Sequence, residues 1–298
     1  LTEKGIRAHS SLMDRVLAYS RSKLEAVKTI LKTEMSACGD RIRAAIITDF
    51  EISNALSLKK AKNVNDDKCG GAISVMKELV SDDITDELDP VMVTAKSLIC
   101  DDDLAEEYVR LGLEWAGELS LEIDFSLKPA EFGKFVFVEG SGRDWSSRTA
   151  VLFTTYLFEK GVTKCIVGTR GLLSEGWDTL NLNTLIDLSV MTTYASVNQL
   201  RGRSIRKSND DPKKVSNNWD VICVAPDLEK GYNDLKRLYK KHDQFYGICD
   251  DGQIQMGVNH IDPMLGEIGH RLDDEDITAI NEKMLKAAVN RDKAYEAW

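Results

Sequence analysis

Short apolar runs alternate with helix-period segments, and this rhythm constrains the fold more than any other feature of the chain. Arg15-Val16-Leu17-Ala18-Tyr19 reads as a short strand. Lys23 to Met35 reads as a helix, with Leu24, Val27, Ile30 and Leu31 on one face and Cys38-Gly39-Asp40 as its stop. Ile42 to Thr48 is apolar, β-branched and short, the pattern of a strand covered on both faces. Strand, helix, strand is the building block of a parallel sheet with right-handed crossovers.

The rhythm returns after Asp144. Arg148 to Lys160 reads as a helix with Val151, Leu152, Thr155, Leu157 and Phe158 inward, stopped by Gly161. Lys164 to Gly168, Leu182 to Leu188 and Val221 to Ala225 read as strands, the last ended by Pro226. A helix over Leu228 to His242, a hairpin around Asp251-Gly252 and a final helix over Asp276 to Ala297 follow.

Between these two stretches the pattern changes. Asn54 to Gly71 is polar and Lys-rich, with a loop expected over Asn63 to Gly70. A helix is expected over Gly71 to Val80, one strand from Val91 to Cys100, and a helix from Asp101 to Leu119. Glu122 to Ser126 and Phe135 to Glu139 suit an antiparallel pair. From Leu98 to Glu131 ten acidic residues face only Arg110 and Lys128, which reads as a solvated helix face.

Composition narrows the function classes. Of 298 residues, 43% are hydrophobic and 30% charged, which suits a globular protein rather than a disordered one. The net charge of −10 argues against a coat for nucleic acid but leaves a local basic groove open. No apolar run approaches the roughly 20 residues that span a bilayer. The six cysteines form no CxxC pair and the four histidines do not cluster with them. Buried thiols in a reducing cytoplasm are expected, and no metal site. His260 and His270 read as solvent or core histidines rather than ligands, Trp177 and Trp219 as packing residues, and Cys165 and Cys223 as core.

Two segments carry chemistry. Gly168-Thr169-Arg170-Gly171-Leu172-Leu173-Ser174-Glu175-Gly176-Trp177-Asp178 follows a strand directly. Glycine permits close backbone approach, and a strand ending in Gly-Thr aims N–H groups and a hydroxyl at an anion. Gln199-Leu200-Arg201-Gly202-Arg203-Ser204-Ile205-Arg206-Lys207 is the second. On a helix, Gln199, Arg203 and Arg206 share a face, and Gly202 leaves room beside it. Arginine suits phosphate through bidentate, charge-assisted hydrogen bonds. From Ser196 to Lys214 six basic residues outnumber Asp210 and Asp211. Taken singly, the first segment is an ordinary glycine-rich turn and the second an ordinary basic helix.

In this order the two segments resemble motifs V and VI of superfamily 2 helicases and translocases. Gly168-Thr169-Arg170 through Gly176-Trp177-Asp178 matches motif V, and Gln199, Gly202, Arg203 and Arg206 match the Q-x-x-G-R-x-x-R of motif VI. Tyr19-Ser20-Arg21-Ser22 is similar to motif IV. The form is closest to type III restriction and DNA-repair helicases of the DEAD/DEAH type. The resemblance covers residues 14–51 and 144–226.

It implies an α/β fold with a RecA-like, P-loop NTPase-type parallel sheet: a helicase C-terminal motor domain over 14–226, with an α+β insertion at 52–143 and a C-terminal extension at 227–298. It implies ATP with Mg2+, bound mainly by an N-terminal RecA-like domain of the same polypeptide. Arg206 then looks like an arginine finger, Arg203 a second phosphate contact, and Gln199 the link from hydrolysis to closure. Gly176, Asp178 and Gly202 would border the nucleotide. Ser20, Arg21, Thr169 and Arg170 would grip the nucleic-acid backbone, DNA in the first instance.

The chain departs from that pattern in two respects. The roughly 90 residues from Glu51 to Arg143 interrupt the family's layout, and no Walker A sequence is present: Gly133-Lys134 runs into Phe135, and Asp86-Glu87 follows no apolar strand. With Leu1 in place of Met at the start, this is what a segment of a longer protein is expected to look like, inactive as an ATPase by itself. Two rivals remain at this point. One is a binding module that keeps the fold without the motor. The other is a doubly wound metabolic enzyme, which lacks its G-x-G-x-x-G fingerprint here.

Overall fold

The computed structural model describes residues 17, 20–51, 71–130, 133–173, 177–208, 211–249, 252–267 and 272–296. The chain is α/β, built on one eight-stranded, mostly parallel sheet. Helix α1 (Arg21–Cys38) opens at Ser20, whose side chain caps Ser22 N–H. It leads to β1 (Ala44–Thr48), buried at every residue. Helices α2 (Ala72–Val80) and α3 (Asp83–Asp86) follow, then β2 (Val91–Val93), β3 (Leu98–Asp101) and α4 (Ala105–Glu118). Next come β4 (Asp124–Pro129), β5 (Phe135–Ser141), α5 (Ser147–Lys160), β6 (Cys165–Thr169) and the short α6 (Arg170–Leu173). Strand β7 (Thr184–Asp187), α7 (Tyr194–Ser204) and β8 (Asn217–Asp220) complete the sheet. Beyond it lie α8 (Asn233–His242), the hairpin β9 (Tyr246–Ile248) and β10 (Ile254–Met256), α9 (Pro263–Glu267), α10 (Asp274–Ala288) and α11 (Arg291–Glu296).

The strand order is β4-β5-β3-β2-β6-β1-β7-β8. From β2 to β8 every neighbour is parallel, while β3, β5 and β4 continue the sheet antiparallel. The segment read as an insertion thus supplies four strands of the one sheet.

Two cores cover the two faces. On one face α1 and α2 bury Val27, Leu31, Met76 and Leu79 against Ile46, Met92 and Val167. On the other α4, α5 and α7 bury Tyr108, Phe153, Leu157 and Leu200 against Ala45, Ile47 and Ile166. Burying a side chain of this size stabilises by roughly 1.5–3 kcal/mol. Gly161 ends α5 in the left-handed region at φ 77°, where its N–H caps the helix, a conformation other residues adopt at a cost.

The C-terminal residues have a small core of their own. Leu235, Leu238, Val258 and Leu265 pack together, with Ile222, Val224, Ile277 and Ile280 against them. They are also tied to the sheet. Arg291 reaches Glu34 at 2.5 Å, a carboxylate with no exposed surface that also accepts from Trp219 at 2.6 Å.

Several sequence expectations need correction. The expected strand over Arg15 to Tyr19 lies outside the described residues except at Leu17, where the backbone is helical. The expected loop over 63–70 also lies outside them. Val91 to Cys100 is two strands, because Thr94 Oγ1 accepts from the N–H groups of Lys96 and Ser97 and folds the chain back. The helix expected from Asp101 starts at Ala105, Asp101 being the last residue of β3. The last strand of the large sheet is Asn217–Asp220, not Val221–Ala225. Its partner β7 stops at Asp187, so after Asp220 no ladder remains to join, and Val221 and Cys223 are buried outside the sheet instead. Leu152 faces solvent, since the buried stripe of α5 runs through Ala150, Val151, Phe153, Thr154 and Leu157. The C-terminal helix breaks in two after Ala288.

Candidate functional site

Parallel strands place their C-terminal ends on one edge, and α/β proteins bind ligands where the connections from neighbouring strands diverge. Here β1 leads to α2 on one face and its neighbour β7 leads to α7 on the other. Asp49 sits at that fork. Its carboxylate accepts from Val190 N–H at 2.8 Å, fastening the exit of β7 to the exit of β1. Burial pushes its pKa up, partly offset by the Val190 N–H and by Arg170.

This edge carries the residues expected to grip a polynucleotide. Thr169 ends β6 beside Thr48 of β1, and Arg170 follows it, exposed. Ser20 and Arg21 open α1 on the same edge, where Lys23 of the first turn meets Asp234 at 2.6 Å. Ser20 is a helix cap rather than a strand end, so the likeness to motif IV is not carried by a strand among the described residues.

Three strands of the edge end at or just before an aspartate: Asp49, Asp187 and Asp220. The last two anchor a buried ionic cluster. Lys241 of α8 bonds Asp187 at 2.5 Å and also Asp220. Asp220 takes Arg201 at 2.5 Å and His242 at 2.8 Å. Burial opposes the charge on Asp220, yet Lys241, His242 and Arg201 hold its carboxyl far below the usual range. The Asp187 and Asp220 carboxylates keep Lys241 charged despite its burial. Burial pushes the His242 pKa down. Arg201 also lies over the Phe245 ring at 5.1 Å. Beside the cluster is a cavity of about 20 Å3 lined by Lys23, Asp187, Asp234 and Arg237, large enough for about one water molecule. Sequence reasoning passed over this cluster. The visible signal was the aspartate closing each of β7 and β8.

The residues expected to face a nucleotide lie from the middle of α7 to just past its end. That helix runs back toward the strand starts, where Ser204 donates to Asn218 of β8 and its carbonyl accepts from Ser216. Arg206 stands just past its end and pairs with Asp178. The pair is open to solvent, with 41% and 71% of the two side chains exposed. Arg203 is buried, and burial lowers its pKa. Gln199 is exposed on the same helix. A Cβ added at Gly202 would meet nothing within 4 Å, so the space beside this face is open. Gly176 lies outside the described residues. The structure therefore joins Asp178 to Arg206 and separates both from Thr169 and Arg170 along the length of α7.

The packing expectations are borne out where they can be read. Trp177 is buried and donates to Thr155 Oγ1 at 2.9 Å. Trp219 is half-buried on Glu34, and Cys165 and Cys223 are core. The acidic face of α4 is solvated at Glu106, Glu107, Glu114 and Glu118. Asp101, Asp102 and Asp103 bring carboxylate oxygens within 4.8 Å of one another. Burial and the neighbouring Asp86 push Asp101 up to about 8, so it is protonated at neutral pH and a poor metal ligand. No helix among the described residues is long and apolar enough to cross a membrane.

The chain matches no protein-family model, and no curated protein matches it.

Proposed function

We propose that this chain is the C-terminal, RecA-like motor half of an ATP-dependent nucleic-acid helicase or translocase. The observation that carries the reading is the pairing of Asp178 with Arg206. The two residues close two separate sequence patterns, and the fold makes them neighbours in an exposed position. A guanidinium held, among the described residues, by one solvent-exposed carboxylate exchanges that partner for phosphate at little cost, because such a pair contributes only about 0–1 kcal/mol. The open space at Gly202 leaves room for the approach.

On this reading ATP and its Mg2+ are held mainly by a first motor domain, which supplies the Walker residues this sequence lacks. Arg206 stabilises charge on the transferring phosphoryl group, a role worth about 10³–10⁵ in rate. Arg203, buried at the foot of the same helix, presents a second cation to that phosphate. Gln199 couples the nucleotide to closure of the two halves. Thr169, Arg170, Ser20 and Arg21, on the other edge, hold the phosphate backbone of a polynucleotide, which gives tracking without sequence reading. Helix α7 and the adjoining strands connect the two ends. Closure on ATP at one end thus moves the grip at the other.

The test is ATP turnover by the polypeptide that joins this chain to its first motor domain. It is measured with and without single-stranded DNA, duplex DNA and RNA. Stimulation by one polymer supports the motor and names its track. Absence of turnover under every condition refutes it and leaves a binding module. This chain by itself is expected to turn over no ATP.

A further inference from the structure

The register of the central strands sets a row of threonines along the C-terminal edge. Val93, Gly168 and Ile47 lie side by side on β2, β6 and β1, so Thr94, Thr169 and Thr48 come next on strands about 4.8 Å apart. Two of the three hydroxyls are committed. Thr48 donates to Phe50 O at 3.0 Å. Thr94 donates to Glu51 Oε2 at 2.7 Å. Thr169 is the half-exposed member between them.

The turn after Thr94 is built to present one cation. Glu51 clamps it from both ends, accepting from the Thr94 hydroxyl through one oxygen and from the Ser97 hydroxyl through the other at 2.5 Å. Inside the turn Thr94 Oγ1 accepts from the N–H groups of Lys96 and Ser97 at 3.3 and 3.0 Å. Lys96 is exposed at the apex and forms no ion pair among the described residues. Arg170, one strand away, is likewise exposed without an ion pair. The two described acids that follow β1 are engaged: Glu51 by its two hydroxyls and Asp49 by Val190 N–H. Two exposed cations without an ion pair among the described residues, Arg170 with only Asp49 acting on it, therefore flank the Thr169 hydroxyl on adjacent strands of an otherwise acidic protein.

We propose that the Thr94–Ser97 turn is a further contact for a polynucleotide backbone, with Lys96 binding phosphate and Glu51 acting as the positioning residue that holds the turn. This rests on the reading that the edge bearing Thr169 and Arg170 binds nucleic acid. It gives the segment between β1 and α5 a role in the grip: β2 lies against β6, so its turn extends the path begun at Arg170.

The experiment is binding of fluorescent oligothymidylate and oligouridylate to this chain, followed by anisotropy over a salt series. Lys96→Ala is expected to weaken binding several-fold and to reduce the slope of log affinity against log salt by about 0.7, the value for one phosphate contact on a single strand. Lys128→Ala, an exposed lysine on β4, should leave both unchanged. Glu51 gives a test by sign. Removing a negative charge tightens binding if charge alone matters, whereas Glu51→Ala is expected to weaken it. Glu51→Gln, which keeps partners for both hydroxyls, restores wild-type affinity. Wild-type binding that drops in Arg170→Ala and not in Lys96→Ala overturns this inference alone, as does tighter binding by Glu51→Ala. No binding by the wild type removes the nucleic-acid reading and this inference with it.

Discussion

Two arginines at the C-terminal end of α7 serve opposite purposes. Toward the C-terminal edge Arg201 sits in a buried cluster with Asp220, Lys241, His242 and Asp187. Just past the end of the helix, Arg206 meets Asp178 in the open. Burial makes the difference. A desolvated charge is costly unless fully paired, so the Arg201 cluster cannot release a partner without loss of fold. The Arg206 pair is screened by water and exchanges freely. Proximity in sequence is therefore a poor guide to role. Arg201 and Arg206 fall within one motif, yet one holds α8 against the sheet and the other is available.

The largest expected effect on stability comes from breaking the buried side of that comparison. Asp220→Ala leaves Lys241 and Arg201 short of a buried partner and should cost about 3–5 kcal/mol in urea unfolding. A loss under about 1 kcal/mol would mean that solvent reaches the cluster and that it does not differ in kind from the exposed pair. Trp177→Phe should cost about 1 kcal/mol through loss of the hydrogen bond to Thr155, with no change in affinity for single strands. Weaker binding without a stability change would make Trp177 a stacking residue.

A third prediction concerns pH. Asp101 has its folded pKa raised to about 8, so the native state holds a proton there that the unfolded chain gives up above pH ~4. Its contribution is full below the unfolded value and fades as pH rises through 8. His242 and His260, whose pKa values burial lowers, act the other way and favour the fold above their unfolded range. The sharp readout is thus the difference between proteins. Asp101→Asn should flatten the fall in melting temperature between pH 5.5 and 8.5, and an unchanged slope would show that Asp101 is ionised in the fold. The smallest effect belongs to the exposed pair: Asp178→Asn should shift stability by less than about 0.5 kcal/mol.

The same contrast explains what could be read in advance. Strands β1, β6 and β7 were legible because each has a short apolar, buried centre, and α1, α2 and most of α5 because their buried faces repeat at helical spacing. Strand β8, Asn-Asn-Trp-Asp, was not. Its residues have little strand character, and the free edge of β7 recruits them. The β2–β3 turn was hidden inside an apolar run, since it depends on hydroxyl contacts rather than on turn residues. At the candidate site the residue types and their order were legible. The union of Asp178 with Arg206 was not, because it depends on how the chain travels from β6 to β7. The Arg201 cluster was least legible, as half of it comes from α8, far along the chain.

The most direct test sets the two arginines against each other in one pair of experiments. Arg206→Ala and Arg201→Ala are made in the polypeptide that joins this chain to the first motor domain the proposed function requires. Each is measured for urea midpoint and for ATP turnover with saturating nucleic acid. Arg206→Ala should keep its midpoint and lose about 10³-fold or more in turnover, while Arg201→Ala should lose midpoint first. Full turnover in Arg206→Ala, or equal loss of midpoint in both variants, would contradict the assignment.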